Sequence, residues 1–203
     1  MKIRKLISKK PGAIAPLCVA VLLSACTYSR IDPEAALADI HANNGYNELT
    51  DVEPGTAKLV LRSAGSGYPA TFSVSTSQHS CRDFTKLGNV AFTGRGIVYP
   101  WIANAVQRGR RTEPHLVHEA KPGESIQVSG YGSWADGTGS SYRSGNCGPV
   151  TAKFTPQDGR AYIVEFAWGS EPACSLRVMD ATDRDTPVPV QAQPIPNCPA
   201  PPS

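Results

Sequence analysis

The amino-acid sequence predicts an all-β fold, an antiparallel β-sandwich of about seven or eight strands. Apolar and polar residues alternate between residues 57 and 180, which directs one face of each strand to a core and the other to water. Gly and Pro, 18 of each in 203 residues, separate these alternating segments. Charged residues make up only 18% of the chain, and with so many turn-forming residues this disfavours a coiled coil or a helical repeat.

The alternating segments define the predicted strands in order along the chain. Their inward positions are Leu59, Leu61, Phe72, Val74, Ile126, Val128, Val150, Ala152, Phe154, Tyr162, Val164, Phe166, Trp168, Leu176 and Val178. Turn signals lie at 65–67, 121–123, 156–159 and 169–172, and we expect the first and third to close hairpins. An Ig-like or transthyretin-like sandwich over residues 57–185 accounts for this pattern, with a small barrel as the alternative.

The N-terminal residues have the organisation of an export signal. Five basic residues precede residue 11, and an apolar run follows from Ala13 to Leu23. That run is too short for the roughly 20 residues that a transmembrane helix requires. Leu23-Ser24-Ala25-Cys26 follows directly.

These four residues resemble the lipobox of bacterial lipoproteins, in which a small residue precedes the lipidated Cys. The resemblance implies a signal peptide at 1–25, acyl chains on Cys26 and attachment to a membrane of the bacterial cell envelope. Thr27 stands where an Asp would imply retention at the inner membrane, so the resemblance favours the outer membrane, facing the periplasm. The alternative is an ordinary secretory signal in which Cys26 is incidental. Residues 121–180 are also similar to small envelope lipoproteins in their turn and strand spacing, which supports the fold and implies no activity.

Removing residues 1–25 changes the charge of the chain. The precursor carries a formal charge of +3, but 15 basic and 17 acidic residues remain afterwards, which gives −2. Overall basicity therefore supplies no argument for nucleic-acid binding, and we expect no nucleic-acid partner.

Two segments flank the predicted sandwich. Residues 26–56 form a lipidated tether in which Asp32-Pro33-Glu34 can start a short helix that ends near Asn43. Residues 186–203 contain seven prolines, which predicts an extended tail that lies on the surface or is free, unless Cys198 attaches it.

Four cysteines remain for disulfides in an oxidising compartment: Cys81, Cys147, Cys174 and Cys198. If 156–159 closes a hairpin, Cys147 and Cys174 lie on opposite sides of one central strand, roughly 10 Å apart. That exceeds the ~7 Å limit between the Cα atoms of a bridge. Two arrangements remain, Cys81–Cys147 with Cys174–Cys198 and Cys81–Cys174 with Cys147–Cys198. We choose the first, because Cys174–Cys198 would attach the Pro-rich tail to the last strand through a loop of about 24 residues.

Motifs for catalysis, metals or cofactors are missing from the sequence. His115 and His118 lack zinc-protease spacing, and in a strand they point to opposite faces. No Gly-x-Ser-x-Gly occurs, and the glycines at 65–67 precede a strand where a dinucleotide site needs a helix. We predict no metal, no cofactor and no enzymatic activity.

Two segments are candidates for ligand binding. Arg108, Arg110 and Arg111 form the densest basic patch and suit an anionic envelope component, although we favour a solvated loop as the explanation. Tyr131 and Trp134 lie among glycines and suit stacking on a glycan or a protein hot spot if exposed, or the filling of a sandwich end if buried.

The sequence thus predicts a lipid-anchored envelope protein with a binding or scaffolding role, possible partners being envelope proteins or glycan. The first alternative is an inhibitor of a lysozyme or protease that inserts residues 130–146 into the enzyme. The second is an envelope hydrolase that uses His115 or His118.

Overall fold

The computed structural model describes residues 45–91, 109, 112–169 and 174–200, and these residues form an all-β sandwich, as predicted. Two sheets of five strands each pack face to face. The strands are β1 (Ala57–Ala64), β2 (Ala70–Ser75), β3 (Thr85–Val90), β4 (His115–Ala120), β5 (Ile126–Asp136), β6 (Arg143–Phe154), β7 (Ala161–Trp168), β8 (Cys174–Asp180), β9 (Val188–Pro189) and β10 (Gln193–Ile195). Short 3₁₀ turns lie at Tyr46–Leu49 and Gly139–Ser141. None of the helical segments described here has the length or apolar character to cross a bilayer.

Several strands that are neighbours in the sheets are far apart in sequence. Sheet one has the order β4-β1-β7-β8-β9, and sheet two has the order β10-β6-β5-β2-β3. Strands β1 and β7 pair in parallel, whereas every other pair of strands within the two sheets is antiparallel. The fold is therefore a sandwich with one parallel pair at the centre of sheet one, which the sequence pattern did not predict.

The prediction that the turns at 65–67 and 156–159 close hairpins is wrong. The first turn connects β1 of sheet one to β2 of sheet two, and the second connects β6 of sheet two to β7 of sheet one. The same turn residues serve both purposes, because a chain that doubles back within a sheet and a chain that crosses to the facing sheet both reverse direction sharply. Antiparallel connections within one sheet join β2 to β3, β5 to β6, β7 to β8 and β8 to β9.

The main core fills the space between the two sheets. Leu59, Leu61 and Phe166 from sheet one meet Phe72 and Val128 from sheet two, and all five are fully buried. These are inward positions of the predicted alternation. Burial of side chains of this size stabilises the fold by about 1.5–3 kcal/mol each.

A second apolar cluster covers the outer face of sheet one. Val60 and Ile163 point away from the main core, and they pack with Leu49 from the segment that precedes β1. This cover explains why residues 161–166 of β7 are all buried although alternate side chains point outward. The central strands β1 and β7 of sheet one therefore have apolar contacts on both faces. This is expected for strands that pair in parallel and are covered on both sides.

Three charged residues lie side by side on the same outer face. Glu165 on β7 accepts hydrogen bonds from Arg62 on β1, with a distance of 3.0 Å to Nε, and forms an ion pair with Arg177 on β8 at 2.6 Å. The side chains of Glu165 and Arg62 are only 9% and 11% exposed. The Arg62 guanidinium also lies 5.3 Å from the centroid of the Tyr46 ring, which provides a cation–π contact. Two cations thus neutralise one buried carboxylate across three adjacent strands.

The Pro-rich C-terminal segment contributes an edge strand to each sheet. Strand β9 pairs with β8 in sheet one, and β10 pairs with β6 in sheet two. A disulfide from Cys198 to Cys81 attaches the end of this segment to the loop between β2 and β3. Proline is tolerated here because an edge strand needs hydrogen bonds on one side only. The predicted tether helix and Cys26 lie outside the described residues.

We predict that Glu165→Ala destabilises the domain by about 3 kcal/mol, because it leaves Arg62 without its carboxylate at a largely buried position. The measurement is the free energy of unfolding from urea denaturation. Glu124→Ala is the control, since the exposed Lys121–Glu124 pair at 3.6 Å should contribute less than about 1 kcal/mol. Equal losses in the two variants would contradict a stabilising role for the buried ion pairs.

Candidate functional site

A cleft of approximately 780 Å³ opens at one end of the sandwich, between the two sheets. The connection from β1 to β2 and the ends of β5, β6 and β7 form its walls. Its volume lies within the roughly 300–1,000 Å³ typical of small-molecule sites. The lining residues are Gly65, Ser66, Tyr68, Trp134, Asp136, Gly137, Ser141, Arg143, Gly145, Asn146, Cys147, Trp168 and Gly169.

Three aromatic side chains make up much of the cleft lining. The ring centroid of Tyr68 lies 6.2 Å from that of Trp134 and 5.9 Å from that of Trp168. Trp168 in turn packs edge-to-face on the buried Phe166, with 5.2 Å between centroids. All three lining aromatics are partly exposed. The main core therefore continues into the cleft as a series of ring contacts that ends in accessible aromatic surface.

Two glycines make room for the tryptophans. Gly132 on β5 faces the Trp168 ring so closely that a Cβ atom there would overlap it, and a Cβ on Gly145 would lie 2.8 Å from the Trp134 ring. Gly145 is the cross-strand partner of Trp134, so the indole lies over bare backbone on the neighbouring strand. Trp168 is held further by a hydrogen bond of 3.2 Å from its Nε1 to Ser63 Oγ. The aromatic surface is therefore largely preformed.

Polar groups of three chemical types surround the aromatic surface. Asp136 and Arg143 are directly opposite one another on β5 and β6, and Asn146 lies three residues further along β6. All three are exposed. Asp136 Oδ1 accepts a hydrogen bond of 2.8 Å from Gly137 N, and within the described part of the chain Asp136 forms no ion pair. Across the ranges that the structure describes, Arg143 has no ion pair and the Asn146 side chain has no hydrogen bond. The cleft thus offers a carboxylate, a guanidinium and an amide beside its aromatic rings.

The disulfide Cys147–Cys174 forms part of the same end of the sandwich, with 5.9 Å between the Cα atoms. The predicted pairing of Cys81 with Cys147 and of Cys174 with Cys198 is therefore wrong, although all four cysteines do form disulfides. The predicted register of Trp168 with Cys174 is correct, but β6 does not pair with β7. Because Cys147 lies on the facing sheet, it approaches Cys174 across the sandwich. The bridge ties β6 to β8 beside the cleft.

The structure separates the sequence candidates for ligand binding. Trp134 lines the cleft, whereas Tyr131 points to the outer face of sheet two, because Gly130 and Gly132 on either side of it face inward. Arg108, Arg110 and Arg111 lie outside the described residues. Sequence reasoning missed Tyr68, Trp168, Asp136, Arg143 and Asn146 as site residues. The glycines around Trp134 and the proposed inhibitory segment 130–146 were the sequence features that indicated this region.

The two candidate histidines lie on opposite faces of β4. His118 pairs with the inward-facing Leu59, whereas His115 pairs with the outward-facing Arg62. Burial lowers the pKa of His118, and the nearby Glu119 carboxylate offsets part of this effect. Burial therefore favours the neutral form of the His118 imidazole. Neither histidine lines the cleft, and the described residues contain no group of three His, Cys, Asp or Glu side chains placed to hold a metal ion.

A comparison of the chain with models of known protein families and with curated proteins finds no match. The interpretation of the cleft therefore depends on its own chemistry.

Tryptic digestion of the oxidised protein can test the disulfide pairing. We expect peptide 144–153 to be linked to 161–177, and peptide 63–82 to be linked to 185–203, since each of these peptides contains one cysteine. Mass spectrometry without reduction identifies the linked pairs, and a reduced sample is the control. A link between 63–82 and 144–153 would contradict the facing-sheet arrangement of β6 and β8.

Proposed function

We propose that this chain is a lipid-anchored protein at the periplasmic face of the bacterial outer membrane, and that it binds an envelope component through the aromatic cleft without catalysing a reaction. The observation that carries the binding role is the partly exposed cluster of Tyr68, Trp134 and Trp168, held between two sheets. Aromatic side chains of this kind are enriched where proteins bind ligands and partners.

The proposed anchoring rests on the resemblance of Leu23-Ser24-Ala25-Cys26 to a lipobox. Acyl chains contribute about 0.8 kcal/mol per buried CH₂ group, so two or three chains on Cys26 would attach the protein stably to a membrane. Two disulfides support an oxidising compartment such as the periplasm, because thiols in the cytosol are kept reduced.

A role in binding is supported by the composition of the cleft lining. Its described residues combine aromatic rings with exposed hydrogen-bonding groups, and they include no histidine or lysine. The cysteine in the lining, Cys147, is engaged in a disulfide. These groups suit recognition of a ligand by stacking and hydrogen bonding.

The tip of the β5–β6 hairpin favours a second candidate function, inhibition of an envelope-targeting enzyme. Tyr142 at this tip is 59% exposed, although it is a large aromatic residue. An exposed aromatic at a hairpin tip suits insertion into the cleft of another protein. Inhibition of a purified lysozyme or protease by the wild-type chain, and its loss in Tyr142→Ala, would support this candidate.

We predict that Cys26→Ser abolishes acylation and leaves the chain as uncleaved precursor or as material that does not fractionate with the membrane. The measurement is incorporation of radiolabelled palmitate, together with fractionation of the cells. Cys18→Ser is the matched control, because it alters a cysteine within the same N-terminal segment and should leave labelling unchanged. Wild-type protein without label would contradict the anchoring.

A photoreactive residue placed in the cleft tests the binding role separately. We expect Asn146→p-benzoylphenylalanine to form adducts in intact cells, and we expect Trp134→Ala in the same chain to reduce them at least several-fold. Arg184→p-benzoylphenylalanine, at an exposed position outside the cleft lining, is the control. Adducts of equal yield at both positions would contradict specific binding in the cleft.

A further inference from the structure

We propose that the ligand of the cleft is a saccharide chain, whose pyranose rings lie against the aromatic surface of Tyr68, Trp134 and Trp168. This inference rests on the proposed binding function and adds the chemical class of the ligand. The evidence is that one cleft contains both exposed aromatic rings and exposed side chains that donate and accept hydrogen bonds.

The first argument is the accessible aromatic surface. A pyranose ring presents C–H groups on its faces, and these pack on an aromatic ring much as an apolar side chain does. Trp134 lies over the bare backbone of Gly145, so one face of its indole is occupied by the protein and the ring orientation is restricted. Trp168 is restrained by Gly132 and by its hydrogen bond to Ser63. Rings that are already oriented lose little conformational entropy when a ligand stacks on them.

The second argument is the mixture of donors and acceptors in the rim. A sugar hydroxyl both donates and accepts hydrogen bonds, as the hydroxyl of a serine does. Asp136 can accept from such a group, Arg143 can donate to it, and the Asn146 amide can do both. Asp136 and Arg143 are cross-strand neighbours, so a carboxylate and a guanidinium can engage neighbouring hydroxyls of one ring.

The same mixture disfavours two other ligands that aromatic or basic grooves bind. A Pro-rich peptide offers mainly carbonyl acceptors, because proline has no N–H, so it would supply few donors to the Asp136 carboxylate. A lipid phosphate would attract Arg143 but would be repelled by Asp136, which lies directly opposite it on the neighbouring strand. The hydroxyl-rich surface of a saccharide matches all three polar groups.

The experiment uses the full acylated chain in a zwitterionic detergent, because a detergent with a sugar headgroup would compete for the cleft. The probes are chitotetraose, cellotetraose, maltotetraose and sonicated glycan strands of peptidoglycan, each titrated by calorimetry and by tryptophan fluorescence. We expect at least one of them to bind. Trp134→Ala should weaken that binding about tenfold, which corresponds to about 1.4 kcal/mol, because it truncates an aromatic contact at the centre of the cleft.

Matched variants separate the cleft from the rest of the surface. Tyr131→Ala removes an aromatic residue three positions away on β5 that points to the other face of sheet two, and it should leave the affinity unchanged. Arg143→Ala should weaken binding several-fold, whereas Arg184→Ala, at another exposed arginine, should not. Circular dichroism of each variant verifies that the sandwich is folded.

Three outcomes would overturn the inference. The first is that none of the saccharides binds, and the second is that Trp134→Ala and Tyr131→Ala have equal effects on the affinity. The third is that a Pro-rich peptide or a vesicle with anionic lipids binds in a manner that Trp134→Ala abolishes while the saccharides do not bind. In this third case the cleft would still be a binding site, so the proposed function would stand and only the ligand class would be wrong. Absence of cleft-specific adducts in cells would count against the proposed function instead.

Discussion

The parallel pairing of β1 with β7 is the constraint on which the rest of the fold depends. Seven consecutive partners join these strands at the centre of sheet one, from Lys58↔Ala161 to Ala64↔Ala167. Parallel neighbours cannot be joined by a tight hairpin, so the chain between them must leave the strand end and return to its start. Here the intervening residues add β4 to one edge of sheet one and supply four of the five strands of sheet two. Most of the second sheet, all of it except β10, therefore lies within the connection between two neighbours of the first.

With this connectivity, two disulfides link parts of the chain that are distant in sequence. Cys147–Cys174 joins strands of opposite sheets, and Cys81–Cys198 attaches the C-terminal segment to the β2–β3 loop. Their sequence separations are 27 and 117 residues. In the chain-entropy model each closure, taken alone, stabilises the fold by roughly 3.5–5 kcal/mol. The C-terminal segment also covers an edge of each sheet, which limits the pairing of these edges with other chains.

The ion pairs and the apolar core that stabilise the sandwich lie apart from most of the cleft. The buried ion pairs of Glu165 lie on the outer face of sheet one, and the apolar core lies between the sheets. At the cleft end, in contrast, aromatic side chains continue from the core toward solvent, and only one disulfide belongs to the lining. A cleft built in this way can accept changes at its polar rim at little cost to the fold, because Asp136, Arg143 and Asn146 are exposed.

The sequence by itself determined the fold class and the inward residues of most strands. Alternation at Leu59 and Leu61, or at Phe72 and Val74, indicates which face of a strand is buried. This is a local property that does not depend on the order of the strands in the sheet. The same reasoning identified the four cysteines that form disulfides and indicated Trp134 as a candidate for binding.

Only the tertiary structure decided which strands are neighbours, and this choice determined the disulfide pairing and the site. The turn at 156–159 has the same residues whether it closes a hairpin or crosses to the facing sheet, so sequence reasoning placed Cys147 in the wrong sheet. Tyr68, Trp134 and Trp168 come from three distant parts of the chain, and no local pattern shows that they meet. Their contact depends on how the two sheets face each other, which is a property of long-range packing that no short segment of sequence contains.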